Sequence, residues 1–383
     1  MDVHILLPDV LGGMMDVFRF TNPTHPTLME QGMVVNGLKS KMWIERFAEA
    51  GEFTFVAPAT AAMRAKLPIG SFVSHLDTAE IMIIENHEIV DNANQDSELV
   101  ITGRGFETFF ENRIVGSNKT YPTSGASTEY LMVEDLSWNQ IVTLIQEHIT
   151  TAGLIDDNDA VPYVNVISQV IGSGPGSARS LKRGTLYDHM LELLAVDRLG
   201  IRIFRPGVWP LLPSGGANTT IAVHRGVDRS GQIIFSHDTG EIESAGYLWS
   251  NKKLKNTAMV TGRWVETLVT TAATEYARRM MLVDASDVDN QFTDAPTGAD
   301  LDGVVATMQQ RGISALAAQN EVALTRAEVS RNATKAVYRR DFDVGDLITV
   351  SGDYNENATM RVSEYVEIED ENGKSSYPTL TVV

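Results

Sequence analysis

LKSKMWIERFAEAGEFTFVAP, Leu38 to Pro58, reads as two short strands folded on a turn. Successive strand side chains point to opposite faces, so Met42, Ile44 and Arg46 share one face and Trp43, Glu45 and Phe47 the other. Ala48-Glu49-Ala50-Gly51 supplies the reversal, with Gly51 free to take positive φ. On the return, Phe53 and Phe55 alternate with Glu52 and Thr54, the period of a half-buried strand. This stretch makes the region β, and the residues around it extend the pattern.

Downstream, Ala59 to Leu67 reads as a short helix. Ile69-Gly70 opens a strand at Ser71-Phe72-Val73, and Glu80 to Ile84 forms the next. Glu88-Ile89-Val90 leads through the polar turn DNANQDS into Leu99 to Gly103. Phe106, Phe109 and Phe110 then fall on one stripe of a short helix and read as core. Upstream, residues 1 to 37 read as strand, loop and strand, with turn chemistry in TNPTHPT.

A second segment has the same pattern. PIGSFVSHLD followed by EIMIIENHEIVDNANQDSELVIT is matched by DVGDLITVSGD followed by ATMRVSEYVEIEDENGKSSYPTLTV, and Gly345 lies 275 residues after Gly70. In each, an aliphatic residue and a glycine (Ile69-Gly70, Val344-Gly345) open a strand. An alternating strand ending in Glu88-Ile89 or Glu367-Ile368 follows, and a polar turn leads to a last strand. Two β-meanders share alternation by default, so the repeat is an expectation for the fold to test.

Between the copies the reading is mixed. Helices are expected over Asp135 to Thr150 and Thr185 to Leu199, the second capped by Thr185 and ended by Gly200. Tyr163 to Ile171 reads as a strand and the glycine-rich Gly172 to Ser180 as a surface loop, since it lacks the lysine and hydroxyl of a phosphate loop. Strands follow at 201–204, 219–225, 232–236 and 257–261. Residues 263–335 read as largely helical, with a loop near 284–298 and a helix interrupted near Gly312.

Composition narrows the function. The chain has 383 residues, 43% of them hydrophobic, enough for two or three packed units. There is no cysteine, which removes disulfides, thiolate metal sites and cysteine nucleophiles. No basic region precedes the first apolar run, so no signal peptide is expected. No apolar run reaches the roughly 18 residues of a membrane span, and no stable membrane insertion is expected. A net charge of −19, from 50 acids and 31 bases, opposes binding to DNA or anionic lipid and gives no sequence-specific nucleic-acid binding.

Chemistry-bearing patterns are few. His4, His25, His75, His87, His148, His189, His224 and His237 include no compact metal-ligand pair, and His148 and His189 read as surface or cap residues. There is no GxSxG elbow. Asp284, Asp287 and Asp289 begin like a calcium loop but lack its glycine and closing glutamate. EIEDE, Glu367 to Glu371, reads as a solvated strand end or turn rather than a catalytic dyad. No catalytic, cofactor-binding or metal residue is assigned, no cofactor is expected, and the chain is read as a non-enzyme.

Several motifs in order carry a resemblance. Trp43, Arg46, Gly51-Glu52 and Phe53, then ITGRGFETFFENRIV (Ile101 to Val115), YDHMLELL (Tyr187 to Leu194), Ile234 to Ser236 with Gly240, NTAMVTG (Asn256 to Gly262) and DFDVGDLITV (Asp341 to Val350) resemble the siphophage ReqiPepy-type tail protein family. The resemblance implies an α+β, predominantly β fold: two tube-protein-like β-barrel domains with inserted mixed α/β and helical segments. Residues 1–117 would form the first barrel, and 118–184 a mixed α/β domain joined by the helical insertion 263–335. Residues 185–262 plus 336–383 would form the second barrel. It implies a trimeric baseplate or tail-tip hub in the virion, made in the host cytoplasm. Its partners would be the distal tail protein or tail tube hexamer, the tape measure protein, and tail fibre or receptor-binding proteins. Three chains of two barrels would match a sixfold tube, and an acidic lumen would let DNA pass. Larger relatives add lytic or carbohydrate-binding extensions, for which no room is expected before Val383. The alternatives are the hub of a contractile injection machine, a tail-associated cell-wall hydrolase, and a host-binding adhesin using Trp209, Trp249 and Trp264.

Overall fold

The computed structural model describes residues 17–20, 33–75, 77–91, 97–115, 130–150, 161, 164–170, 177–182, 184–205, 219–236, 238–250, 254–270, 275–289, 292–317, 322–329, 335–352 and 357–382. The chain is mostly β. It starts with β1 (Val17–Phe20), β2 (Met33–Val35), β3 (Ser40–Arg46), β4 (Glu52–Pro58), helix α1 (Ala61–Lys66), β5 (Phe72–Ser74), β6 (Met82–Val90), β7 (Glu98–Gly105) and helix α2 (Thr108–Glu111). Next come β8 (Tyr130–Asp135), α3 (Ser137–Ile149), β9 (Val164–Ser168), β10 (Ser177–Lys182), α4 (Leu186–Asp197), β11 (Gly200–Phe204) and β12 (Thr219–His224). β13 (Ile234–Ser236), β14 (Ile242–Ser250), β15 (Thr257–Thr261), β16 (Glu266–Thr270), β17 (Met280–Asp284), α5 (Ser286–Asp289) and α6 (Ala299–Ala317) lead to the last strands. These are β18 (Val322–Val329), β19 (Leu347–Ser351), β20 (Asn357–Asp370) and β21 (Gly373–Val382).

The β3–β4 hairpin forms with Trp43 opposite Phe53 and Met42 opposite Thr54. Lys41, Trp43 and Glu45 of β3 and Phe53, Phe55 and Ala57 of β4 are buried, as the alternation requires. Trp43 stacks on Phe53 and Phe55, with ring centroids 5.8 and 6.5 Å away. Gly51, however, does not take positive φ. It is glycine because a Cβ there would stand 2.5 Å from the Ile44 carbonyl oxygen and 2.7 Å from Met82 Cε. Close approach of the backbone fixes this residue.

The repeat is present in the hydrogen bonding. Gly70 (φ +83°) donates to Ile84 O at 2.8 Å, and Ile84 N donates to Ser71 O at 2.9 Å. Gly345 (φ +98°) donates to Val362 O at 2.8 Å, and Val362 N donates to Asp346 O at 2.9 Å. Directly afterwards both central strands carry a bulge, between Ile84 and Asn86 in β6 and between Val362 and Glu364 in β20. Strand order agrees as well. β3-β4-β7-β6-β5 in one copy matches β14-β18-β21-β20-β19 in the other. Met82 and Met360, Ile84 and Val362, and Val73 and Ile348 fill equivalent places in the cores of the two copies. A bulge is a specific irregularity, so its recurrence beside the same reciprocal bond pair marks duplication rather than generic alternation.

The copies are not separate barrels. β3 pairs with β20, so both belong to one 13-stranded sheet whose main path runs from β14 to β2. Among the described residues no sheet closes into a barrel. The expectation of two closed barrels therefore gives way to two five-strand modules sharing a seam.

The stretch expected to be helical holds strands. β15, β16 and β17 form a small sheet, and β18 returns to pair with β14. Helix α6 runs uninterrupted through Gly312, where a Cβ would meet Val269 and Val260 side-chain methyls at 2.7 and 2.8 Å. The glycine lets the helix lie close against the small sheet without breaking it. Likewise α4 ends at Arg198, in the left-handed region (φ 53°), and Gly200 already belongs to β11. Ser177 to Ser180, expected as loop, pairs with β8 as part of β10; residues 172–176 lie outside the described residues. Thr185 caps α4 as expected, accepting a bond from Asp188 N at 3.1 Å.

Helices α3 and α4 and strands β9, β11 and β12 share one core with Phe72, Phe106 and Phe110. This core spans the expected boundary at 184 and sets β11 against the seam.

Candidate functional site

The seam buries charge. Across it Trp43 faces Glu367, Lys41 faces Glu369 and Glu45 faces Tyr365. Since β3 places Lys41 and Glu45 on the same face as Trp43, both charged groups go inside and need partners there. Lys41 Nζ lies 2.9 Å from Glu367 and 3.2 Å from Glu369. Lys374 reaches Glu367 at 3.1 Å and Asp77 at 2.5 Å. EIEDE is thus split: Glu371 is exposed in the turn, as expected, whereas Glu367 and Glu369 are buried against a lysine from the other copy. On the opposite face Arg46 donates to Glu364 and to Glu52, both at 2.8 Å, fastening the same seam from outside.

A second group of charges surrounds Glu45. Its carboxylate accepts bonds from Thr78 Oγ1 and Tyr338 OH, each 2.6 Å, and from Arg339. Arg202 of β11 lies 3.8 Å from Glu45 and 3.7 Å from Glu80, and grips Asp343 with two nitrogens. Burial pushes the Glu45 carboxyl up, but Arg339, Arg202 and the two hydroxyl donors outweigh it and hold it below the ordinary range. Glu80 goes the other way: burial, then the charge of Glu45, push it well above its ordinary value. Arg339 adopts positive φ (66°), an uncommon conformation for a non-glycine residue, at the point where it meets Glu45.

A Glu45 carboxyl held low near a Glu80 carboxyl pushed up has the form of an acid–base pair. Clefts of about 440 Å³ near Arg229 and Asp341 and about 390 Å³ near Arg46 and Arg361 are lined by neither residue. The arrangement fits a polar fastener between the two modules and β11. Buried ion pairs are poor sources of net stability, but a slip of this register would leave these buried charges unpaired, which is costly.

His75, Asp77 and Glu367 place ligand-type atoms within 4.8 Å of one another. Lys41 and Lys374 already neutralise these carboxylates and oppose a cation. Burial, then Lys41, hold the His75 imidazole well below its ordinary value, so it is neutral. His148, expected as a surface or cap residue, is 1% exposed, so it is not at the surface; it sits in the last turn of α3 with Nδ1 2.8 Å from Leu144 O. His224 packs edge-on against Phe47 at 5.2 Å, and burial pushes it down to about 3. His4, His25 and His237 lie outside the described residues.

The aspartates of the calcium-like stretch are spent on protein donors. Asp289, fully buried, accepts from the backbone N–H groups of Arg263 and Trp264 at 2.7 Å and of Val265 at 3.1 Å. Asp287 pairs with Arg311, and Asp284 accepts from Ser286 N at 2.9 Å. Of the tryptophans considered for glycan binding, Trp264 is half-exposed and tied to Phe292 O by its indole N–H at 3.1 Å. Trp209 lies outside the described residues, as does the Trp249 side chain.

With this geometry in hand, the family can be assigned. The profile of the siphovirus ReqiPepy6 Gp37-like proteins matches residues 26–380. The chain belongs to that family. It is a family of viral tail proteins, so its members' place is the virion tail. No curated protein sequence matches the chain. Among solved structures it resembles a tail protein from Neisseria meningitidis MC58, at 14% identity and TM-score 0.56 over 95% of both chains. It also resembles the prophage tail protein gp18 of Listeria monocytogenes EGD-e, at 12% identity and TM-score 0.54, over 95% of this chain and 94% of that one. A third is the prophage MuSo2 43 kDa tail protein of Shewanella oneidensis, at 10% identity and TM-score 0.51, covering 96% and 98%. At these identities the likeness shows the fold.

Proposed function

We propose that this chain is the structural hub of a phage tail tip. Three copies form a ring, and their six modules are the tube-protein-like elements that meet a sixfold tail tube or distal tail ring. The threefold face carries fibre or receptor-binding proteins, the tape measure protein ends at the ring, and DNA passes through it. The observation that carries the reading is the duplicated five-strand module in a member of a tail protein family. A chain with two near-equivalent modules allows three chains to present six similar surfaces. The charge of −19 supports passage of DNA without adhesion. The buried charge network is read as a fastener and not as catalytic machinery, so the hub is non-enzymatic.

Light scattering across a concentration series for the protein alone, with electron-microscope imaging of the protein mixed with purified tails, tests this. A trimer, or threefold density at the tail end, is the expected result. A protein that stays monomeric in both settings refutes the ring.

A further inference from the structure

We propose that β14 of one copy of this chain adds as a strand to Asn86–Val90 of β6 in a second copy, carrying the main sheet from chain to chain. The inference deepens the ring reading and rests on it. Within one chain, β20 has two kinds of neighbour along one edge. Its first half, Asn357 to Arg361, pairs with β19; beyond the bulge, Glu364 to Glu369 pairs antiparallel with β3. β6 is built the same way. Its start pairs with β5 through Met82 and Ile83, and the bulge follows at Ile84. Beyond that bulge, among the described residues, no strand covers the corresponding edge.

Burial follows the cover. Under β3, Val366, Glu367 and Glu369 are buried, whereas their equivalents in β6, Glu88, Ile89 and Asp91, are exposed. Ile89 is 48% exposed on an open strand edge. Such an edge is a template for another strand. At the far end of the sheet β14, the counterpart of β3, pairs with β18 and, among the described residues, ends the strand path.

The occupant follows from the chain itself, which already contains the same docking once as β3 on β20. The register follows too. Thr102 leads across Thr54 to Met42, as Thr379 leads across Glu328 to Ser244. Met42 faces Ile368, whose equivalent in β6 is Val90. Ser244 of one copy therefore lies opposite Val90 of the next, and Gly246 opposite Glu88. The contact is head-to-tail, the kind that closes into a ring when the rotation per copy divides a full turn.

The absence of native cysteine makes cross-linking a clean test. Glu88→Cys is combined in turn with Ala245→Cys, Gly246→Cys and Tyr247→Cys, which covers a one-residue shift from the β14 bulges. Ile44→Cys with Val366→Cys, opposed across β3 and β20, is the internal control and forms its bridge within one chain. Under mild oxidation the inter-copy pairs are expected to give reducible covalent dimers and trimers. Mixing the two single variants should give dimers only. If the protein assembles as a trimer and none of the three pairs cross-links, the strand seam is refuted while the ring stands. A protein that never assembles, alone or with tails, overturns seam and ring together.

Discussion

Glu107 provides a measurable handle on the buried acids. It is 7% exposed, at the start of α2, and it sits so tightly over Gly105 that a Cβ on that glycine would lie 2.1 Å from its Oε2. Burial pushes its carboxyl up to about 7 from an ordinary 4.5, with only its own backbone N–H opposing. Between pH 4.5 and 7 the native state therefore binds more protons than the unfolded chain. Stability falls as pH rises through that window, and the full cost is present above it. A shift of about 2.5 units at about 1.36 kcal/mol per unit gives about 3 kcal/mol. Glu107→Gln keeps the shape and an acceptor but cannot ionise. Relative to wild type, the variant is expected to be near-neutral at pH 4 and about 3 kcal/mol more stable at pH 8. Guanidinium unfolding followed by tryptophan fluorescence at pH 4, 5, 6, 7 and 8 reads the difference. Glu80 is also pushed up, in part by the charge of Glu107, so the variant relieves it as well and the two effects at pH 8 have the same sign. An equal effect at both pH extremes, or a variant less stable at pH 8, would refute the assignment of cost to a buried charge.

Two further perturbations address the seam and the small sheet. Lys41→Met leaves Glu367 with Lys374 but removes the ion-pair partner found for Glu369 among the described residues. A loss of about 3–5 kcal/mol is expected, partly recovered in Lys41→Met/Glu369→Leu; equal losses in both variants in denaturant titration would contradict the pairing. In α6, Gly303→Ala meets nothing within 4 Å and should stabilise by up to about 1 kcal/mol through helix propensity. Gly312→Ala should destabilise despite the same propensity gain, because its Cβ collides with Val269 and Val260; thermal melts of the two variants must move in opposite directions.

What was legible in the sequence was periodic and local. Alternation in the β3–β4 hairpin, the apolar stripes of α3 and α4, and the paired glycines at 70 and 345 all survive in the structure. Phe106 and Phe110 were recognisable as core for the same reason. The strands β16 (ETLVT) and β17 (MMLVD) were not legible: each is only five residues long and they flank TAATEYARR, a run rich in helix formers, so it is the pairing of both with β15 that defines them. The fate of EIEDE was also hidden, because its partner Lys41 lies more than 300 residues earlier in the chain. One signal was available. Lys41 shares strand parity with Trp43, so a buried tryptophan at 43 already commits 41 and 45 to the interior. Arg202, Arg339 and Glu80 carry no such sign, since only the tertiary fold brings β11 and the 338–343 stretch to Glu45.

If three chains assemble as proposed, the difference between the two modules sets how their six units would depart from sixfold symmetry. In the first module β3 and β4 are joined by the tight turn at 47–51, where Gly51 has no room for a side chain. At the equivalent place the second module carries residues 251–321, which hold β15 to β17, α5 and α6. The insertion leaves the bulge, the reciprocal glycine bonds and the strand order of its module unchanged. It sits at a hairpin tip, where extra chain costs loop entropy that grows only slowly with length and disturbs no ladder. Selection can therefore act separately on two surfaces. The ladders set the module-to-module contacts, which a sixfold partner requires to stay alike. In the proposed ring of three chains the tips would alternate between a bare turn and an insertion, three small projections and three large ones. On that face the inserted sheet exposes Leu268, Met280 and Leu282. The threefold partner of the proposed hub would read that alternation. Excising 251–321 and closing β14 to β18 with a short turn should leave the strand seam intact and abolish threefold, but not sixfold, attachment. A shortened chain that loses both would show that the insertion also holds the modules together.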